Sequence, residues 1–386
     1  MIKQSSDQPS DQPSDRPSDQ HALPFFGESL CQATYKTGKK KGQQCTNKAY
    51  YYDIPAEQIR CGMHSEDRTR EDLMKNPRAK EIAIEKCEEL KELAEDAAML
   101  NRKYGNRGVI ICDKLLMMKS PTCQPGFTMI FPNFRHADRL DGIGCATLSP
   151  KSIGPIQHWM RELPPARNLE NFHQFSKVYP WEADEFTLDK NGNIISVPLT
   201  SAFNKVRIQA YQDPEPQRHK HKYSPLLQLF RENHPEISNE LPADPKGGLP
   251  DPEAKTPMMK EIAKISSGLY KPLYTLYTFD GRPRRFTYME SRYVYCHLYE
   301  LAVRNLPEFK KLVSMLDRGY NLQIVGYDGL AVDRSGKTLA ELYLDESQPF
   351  GHELVLYTML RNSDAYNYPW NIFRRQHLEL YEGMTI

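Results

Sequence analysis

The first pattern in the chain is a helical spacing of hydrophobic residues. Over residues 76–105, apolar side chains recur every three or four positions, which predicts one long helix. The segment 290–319 predicts two more helices, the second of which begins at Pro307. Another helix is predicted just after Gly351, where an apolar run begins. Helix is therefore the main expected element.

Short apolar runs between turn residues predict the strands. One hairpin is expected around Asn191 and Gly192, and another around Asp280 and Gly281, because both dipeptides favour tight hairpin turns. The segment YNLQIVGYDG, residues 320–329, is expected to form a short buried strand that ends in a polar turn. The predicted fold class is α+β, with a mostly helical domain that carries short strands and hairpins.

Composition divides the 386 residues into four parts. Residues 1–27 carry a Ser-Asp-Gln-Pro repeat, which predicts a disordered tail that is either plainly solvated or bound by a partner. Residues 28–66 hold a cysteine cluster, and residues 67–105 are expected to form a connector helix. Residues 106–386 hold the main core, with a polar, proline-rich insertion at 212–257.

Charge and cysteine content narrow the class of protein. The net charge of +1 gives no overall attraction to nucleic acid or anionic lipid, so any polyanion site must be local. No apolar run approaches the roughly 20 residues that cross a bilayer, and the N-terminus lacks the apolar core of a signal peptide. Eight cysteines without the pattern of a disulfide framework predict a reducing compartment, so an intracellular protein, cytoplasmic or nuclear, is expected.

The cysteine cluster predicts a zinc site. Cys31, Cys45, Cys61 and His64 are four potential tetrahedral ligands in a segment with few core hydrophobes, where a metal would supply folding free energy. The framework resembles short Cys-Cys-Cys-His zinc modules, which implies structural zinc. The alternative is four unrelated reduced residues. The lysine run at 39–41 could contact phosphate groups.

The stretch LENFHQFSK presents a polar stripe on a predicted amphipathic helix. Glu170, Gln174 and Lys177 share one face, because side chains at i, i+4 and i+7 align on a helix. The stripe is either a solvated surface or the wall of a site. The opposite side is expected to pack through its apolar residues, Leu169, Phe172 and Phe175.

Three segments resemble, in order, the signature blocks of the NADAR family, whose members are N-glycosidases acting on NAD- and ADP-ribose-type compounds. The segments are ELPPARNLENFHQFSKV, YVYCHLYELAVRNLPEFKKLVSMLDRGYNLQIV and FGHELVLYTMLR. The resemblance implies a NADAR-like catalytic domain in residues 106–386. It also implies that Lys177 is the reactive lysine, whose amine attacks the anomeric carbon of a ribose.

The resemblance assigns further roles around Lys177. Glu170 would move a proton or position ribose hydroxyls, and Asp328 matches the acid of the family's Asp-x-x-Trp-Gly turn. No tryptophan lies beside Asp328, and Glu353 stands where the family tends to have asparagine. The residues expected to bind substrate are Gln174, Arg167, Asn168, Trp181 and Glu353.

These expectations combine into one main function and two alternatives. The main one is hydrolysis of an N-glycosyl bond in an ADP-ribose-related or nucleotide-linked small molecule, of which removal of ADP-ribose from a modified base is one form. The first alternative is a non-catalytic, zinc-containing protein that binds nucleic acid, for which the basic cluster RHKHKY at 218–223 is a second contact point. The other is a transferase that builds a glycosidic bond. No membrane partner is expected.

Overall fold

The structure is a computed structural model. It describes residues 33–35, 41–45, 51–53, 58–61, 64, 70–72, 77–115, 121–134, 136–137, 139–157, 164–178, 187–188, 194–196, 208, 211–212, 272–279 and 282–378. Predictions for residues 1–27, for the insertion at 212–257 beyond Gln212 and for the RHKHKY cluster lie outside the described residues.

Helices and strands are mixed along the described chain. The strands are β1 Tyr51–Asp53, β2 Gln58–Arg60, β3 Arg70–Asp72, β4 Ile110–Lys114, β5 Phe127–Phe131, β6 Gly142–Gly144, β7 Lys177–Val178, β8 Thr187–Leu188, β9 Ile194–Ser196, β10 Tyr274–Phe279, β11 Arg282–Phe286 and β12 Asn321–Gly326. The helices are α1 Pro77–Lys103, α2 Leu169–Phe175, α3 Tyr288–Val303, α4 Pro307–Asp317, α5 Val332–Ser335, α6 Leu339–Leu344, α7 His352–Arg361 and α8 Pro369–Gln376.

A four-stranded parallel sheet organises the main core. Its strand order is β4-β12-β5-β6, so a strand from late in the chain lies between two early ones. Successive residues face opposite sides, as strand geometry requires. Ile130 and Ile324 join the large core, whereas Met129 and Val325 belong to a smaller cluster. The carboxyl ends of all four strands therefore meet at one edge, where ligands of parallel sheets commonly bind.

Antiparallel pairs make up the smaller sheets. Strands β10 and β11 form the hairpin predicted around Asp280 and Gly281, and β8 pairs with β9 around Asn191 and Gly192. A third strand, β7, adds to β10. The N-terminal segment forms a separate sheet of order β2-β1-β3. The fold combines helices with parallel and antiparallel sheets and is consistent with the predicted α+β class.

Helix α3 runs through the centre of the core. Thr287 caps it in a capping box with Glu290, and most of its residues are buried, including Tyr293, Cys296 and Tyr299 of the predicted core face. It contacts α2, α7 and α8. This helix therefore connects segments that lie far apart in the sequence.

The long helix α1 packs through a narrower face than its sequence predicts. Cys87, Ala94 and Ala98 are buried, but Ile84 and Leu93 of the expected apolar stripe are 38% and 39% exposed. Small side chains let the helix lie close to the loop before β5, where a Cβ on Gly126 would be 3.2 Å from that of Ala97. Within the described residues, no helix is both long and apolar enough to cross a membrane.

Candidate functional site

Helix α2 is fixed by its cap and by its apolar face. The Asn168 side chain accepts a hydrogen bond from the backbone N–H of Asn171 at 2.8 Å, which satisfies a donor of the first turn. Leu169, Phe172 and Phe175 are all buried, as predicted. The ring of Phe172 stacks on that of Tyr277, with centroids 5.5 Å apart. The polar face of the helix therefore has a defined direction.

The helix is shorter than the sequence pattern predicts, which corrects the placement of Lys177. Helix α2 ends at Phe175, and Lys177 is the first residue of strand β7. Its backbone is paired opposite Thr275 of β10, and this sheet pairing takes the place of another helical turn. The Ser176 hydroxyl donates to the Phe172 carbonyl at 2.7 Å and closes the helix end. The reactive lysine of the prediction thus lies on a strand.

The predicted polar stripe nevertheless forms one hydrogen-bonded line. Gln174 donates through Nε2 to Glu170 Oε1 at 3.1 Å, and Lys177 Nζ donates to Gln174 Oε1 at 2.8 Å. All three residues are half-buried. The amide of Gln174 can satisfy both neighbours only in this orientation, because its nitrogen donates and its oxygen accepts. This Glu-Gln-Lys line holds an acid and an amine at fixed positions.

A histidine and a tyrosine lie beside the Glu-Gln-Lys line. The rings of His173 and Tyr295 are 4.7 Å apart between centroids. Burial and, secondarily, the charge of Lys177 hold the pKa of His173 well below its ordinary value of 6.5, so this imidazole is neutral. Its Nδ1 atom is buried and has no hydrogen-bond partner among the described residues. The neutral imidazole of His173 therefore adds no second positive charge beside the Lys177 amine.

Tyr295 is a buried tyrosine of α3 that lies against His173. It is 8% exposed on α3, and burial raises its pKa well above 10, with the negative charges of Glu170 and Glu353 acting in the same direction. Sequence reasoning did not single out Tyr295, since nothing in the sequence separates it from the core tyrosines of α3.

Glu353 is a fully buried acid on the first turn of α7. It is 0% exposed, and burial raises the pKa of its carboxyl, with the nearby charge of Asp328 acting in the same direction. Two glycines make room for it. A Cβ built on Gly326 would lie 2.5 Å from its Cδ, and one on Gly351 would lie 3.0 Å from its Oε2. This carboxyl therefore occupies space that only glycine leaves open.

Asp328 lies next to the buried acid on the exposed turn that follows β12. The position of a Cβ on Gly351 would be 3.2 Å from Asp328 Oδ2 and 3.0 Å from Glu353 Oε2, so these oxygens are within about 6 Å of each other. Two acids that are distant in sequence from the Glu-Gln-Lys line thus reach the carboxyl edge of the parallel sheet together.

The remaining predicted binding residues differ in placement. Arg167 is exposed at the start of α2. Asn168 is 3% exposed, and its capping bond already accounts for its side-chain oxygen. Trp181 lies outside the described residues. Contact of these three residues with a substrate remains a prediction.

The N-terminal cysteine cluster has the dimensions of a metal site. Cys45, Cys61 and His64 each offer a ligand atom, and these atoms lie within 4.8 Å of one another. The Sγ atoms of Cys45 and Cys61 are 3.9 Å apart, and Cys61 Sγ is 3.4 Å from His64 Nδ1. Ligands at zinc bond lengths around a tetrahedron are separated by about 3.5–3.8 Å. Cys31, the fourth predicted ligand, lies outside the described residues.

We compared the chain with models of known protein families, with curated proteins and with solved structures, and none of the three comparisons gave a match.

Proposed function

We propose that the chain is an N-glycosidase-type hydrolase that cleaves an N-glycosyl bond of an ADP-ribose-related or nucleotide-linked compound. The observation that supports this most is the Glu-Gln-Lys line, which holds the Lys177 amine 2.8 Å from Gln174 and places Glu170 at the other end. A plainly solvated stripe would not require these two hydrogen bonds between its members. The NADAR-like order of the sequence blocks points to the same chemistry.

The reaction begins when the neutral amine of Lys177 attacks the anomeric carbon of the ribose. A C–N bond forms, and the bond to the leaving base breaks with its electron pair going to the base. The lysine adduct opens to a Schiff base, which water hydrolyses to free amine and free sugar. Glu170 is the acid nearest along the line and takes the proton that the Lys177 ammonium must lose.

Turnover by matched variants tests this function. Lys177→Met should abolish hydrolysis of NAD and of an ADP-ribosylated guanine oligonucleotide, and Glu170→Gln should lower it by about 10²-fold or more. Lys310→Met, which changes an exposed lysine on α4, should leave the rates unchanged. If the folded wild-type chain hydrolyses neither substrate, or if both lysine variants behave alike, the proposal is wrong and a non-catalytic binding role is favoured.

We also propose that the cysteine cluster holds a structural Zn²⁺. The separations between Cys45, Cys61 and His64 support it, since 3.9 Å between two sulfurs is far from the ~2.05 Å of a disulfide and close to that of two zinc ligands. Bound zinc would tie together a segment whose described hydrophobic cluster is only Cys45 and Cys61 with Ala33 and Tyr35 packed on it. Cys31 completes the tetrahedron in this proposal.

A further inference from the structure

Helix α1 carries a second apolar stripe beside the one that packs inside its own chain. Its members recur at alternating steps of three and four positions: Leu90, Leu93, Ala97, Leu100 and Tyr104. We call these five residues the seam stripe, because the spacing is that of the a and d positions of a coiled coil, which form the seam between two packed helices. The stripe therefore has the pattern of a surface that packs against another helix.

The large residues of the seam stripe are exposed. Leu93 is 39% exposed, Leu100 55% and Tyr104 66%, whereas Leu90 and Ala97 are half-buried. Single apolar residues on a surface need no explanation, but a line of them along one helix is typical of an interaction surface. The seam stripe is therefore a candidate for a contact between proteins.

Helix α1 uses a different face to pack on the parallel sheet. It contacts β5 and β12, and its buried residues include Cys87, Ala94 and Ala98. At about 100° per residue, the seam stripe lies roughly a quarter of a turn around the helix axis from these three residues. A helix placed alongside α1 can therefore cover the seam stripe without displacing α1 from the sheet.

The charges beside the seam stripe favour a second copy of the chain as the partner. Asp96 and Lys103 lie on the flank of the stripe that points away from the core. Both side chains are exposed, and neither has an ion-pair partner among the described residues. In an antiparallel pair of helices, equivalent flanks face each other, and opposite charges on them fix partner and orientation. A flank that holds both an acid and a base can therefore pair with the same flank of a second copy.

The spacing of the apolar residues gives the register of this pairing. In an antiparallel seam, each a position packs against a d position of the other helix. When Leu93 packs against Tyr104 of the other copy, Ala97 meets Leu100 of that copy. A two-fold axis repeats both contacts, because it gives each helix the same partners. The exposed part of the seam stripe is then covered along its whole length.

We propose that two copies of the chain form a two-fold symmetric dimer by antiparallel packing of their α1 helices along the seam stripe. In this register each Asp96 lies beside Lys103 of the other copy and forms an ion pair with it. A parallel pair lacks these ion pairs, because it brings this flank against the opposite one, which carries the uncharged Ala94 and Asn101. The dimer is independent of the proposed reaction, since α1 carries no residue of the candidate site.

Sedimentation equilibrium of the full chain under reducing conditions, from about 1 to about 300 µM, tests the dimer. We expect the wild-type mass to rise towards twice the monomer mass and Leu100→Lys to stay monomeric over this range. The matched control is Leu344→Lys, which changes a leucine on α6 of nearly the same exposure, 54%, and should dimerise like wild type. A wild-type chain that stays monomeric, or two variants that behave alike, would overturn the dimer.

A charge exchange tests the antiparallel pairing without relying on the leucine variants. We expect Asp96→Lys to weaken dimerisation by about 10-fold, because it places two lysines together at both symmetry-related contacts. The double variant Asp96→Lys with Lys103→Asp restores opposite charges and should return the dissociation constant to within about 3-fold of wild type. No weakening by the single change, or no recovery in the double variant, would overturn the antiparallel pairing.

Discussion

Replacing Gly326 with alanine should destabilise the chain through one contact, the carboxyl of Glu353. The new Cβ would lie 2.5 Å from Glu353 Cδ, and closer still to Oε1 and Cγ. This is about 1 Å inside the ~3.5 Å of ordinary carbon contacts. Both residues are buried, with Gly326 in the sheet and Glu353 on a helix, so neither can move away cheaply.

The size of the effect follows from this geometry. Forcing an extra methyl group into a packed interior costs about 1–3 kcal/mol, while alanine in place of glycine returns about 0.4–1 kcal/mol by restricting the unfolded chain. The net loss of unfolding free energy should be about 1–2 kcal/mol. Glu353→Ala empties the space that the new Cβ needs. The double variant should therefore be about 1–2 kcal/mol more stable than the sum of the two single changes.

Urea unfolding followed by circular dichroism measures this coupling. Gly329→Ala is the matched control, because its Cβ would meet the Asp113 carbonyl and lie 3.0 Å from the Gly326 oxygen, with no atom of Glu353 among its three nearest neighbours. That variant should be destabilised without relief from Glu353→Ala. Additive effects of Gly326→Ala and Glu353→Ala would refute the placement of the buried carboxyl, and with it the site built around it.

Three further predictions concern stability and metal binding. The raised pKa of Glu353 means that the folded chain keeps a proton that the unfolded chain loses near pH 4.5, so wild-type stability should fall above that pH. Thermal unfolding should therefore show that Glu353→Gln gains stability relative to wild type when the pH is raised from 4 to 8. The gain in unfolding free energy is about 1.4 kcal/mol for each tenfold difference in proton affinity between the folded and the unfolded carboxyl. Phe172→Ala, which removes a fully buried ring under the site, should cost about 3–5 kcal/mol in urea unfolding, whereas Leu344→Ala, at 54% exposure, should cost under 1 kcal/mol. Cys61→Ser should reduce bound zinc, measured by elemental analysis, from about one ion per chain to near zero, whereas Cys123→Ser should retain it.

Each of these has a contradicting result. A pH-independent difference between Glu353→Gln and wild type would mean that the carboxyl has the same affinity for protons folded and unfolded. Equal losses for Phe172→Ala and Leu344→Ala would contradict the packing of α2. Zinc that survives Cys61→Ser, or zinc absent from the wild-type chain, would contradict the metal proposal.

Local patterns predicted the local elements well. Helix α4 begins at Pro307, whose ring fixes φ at a helical value, and it ends before Gly319, whose φ is 91°. The pairing of β10 with β11 agrees with the turn predicted at Asp280 and Gly281. The parallel sheet was not predicted. Its central strand β12 pairs with strands about 200 residues earlier, and no spacing within one segment encodes such a partner.

In the candidate site too, the local arrangement was predicted from the sequence and the long-range contacts were not. Spacing alone aligned Glu170, Gln174 and Lys177, but helix α2 stops early because the backbone of Lys177 pairs with β10, a partner outside the helix. Tyr295 was missed as a residue of the site. Its place depends on which buried groups it contacts, and burial on every side of α3 leaves no amphipathic pattern in the sequence.

The most direct test of the central claim is to trap the lysine adduct. The purified chain would be mixed with NAD or an ADP-ribosylated guanine oligonucleotide, reduced with borohydride within the first turnovers, digested and analysed by mass spectrometry. Short reaction times limit the slow glycation of other lysines by free ADP-ribose, and Lys177→Arg and Lys310→Met are the controls. The account predicts one reduced adduct, on Lys177, which is lost in Lys177→Arg and kept in Lys310→Met. A folded, zinc-loaded chain that turns over substrate with the adduct elsewhere, or that gives neither adduct nor turnover, would contradict it.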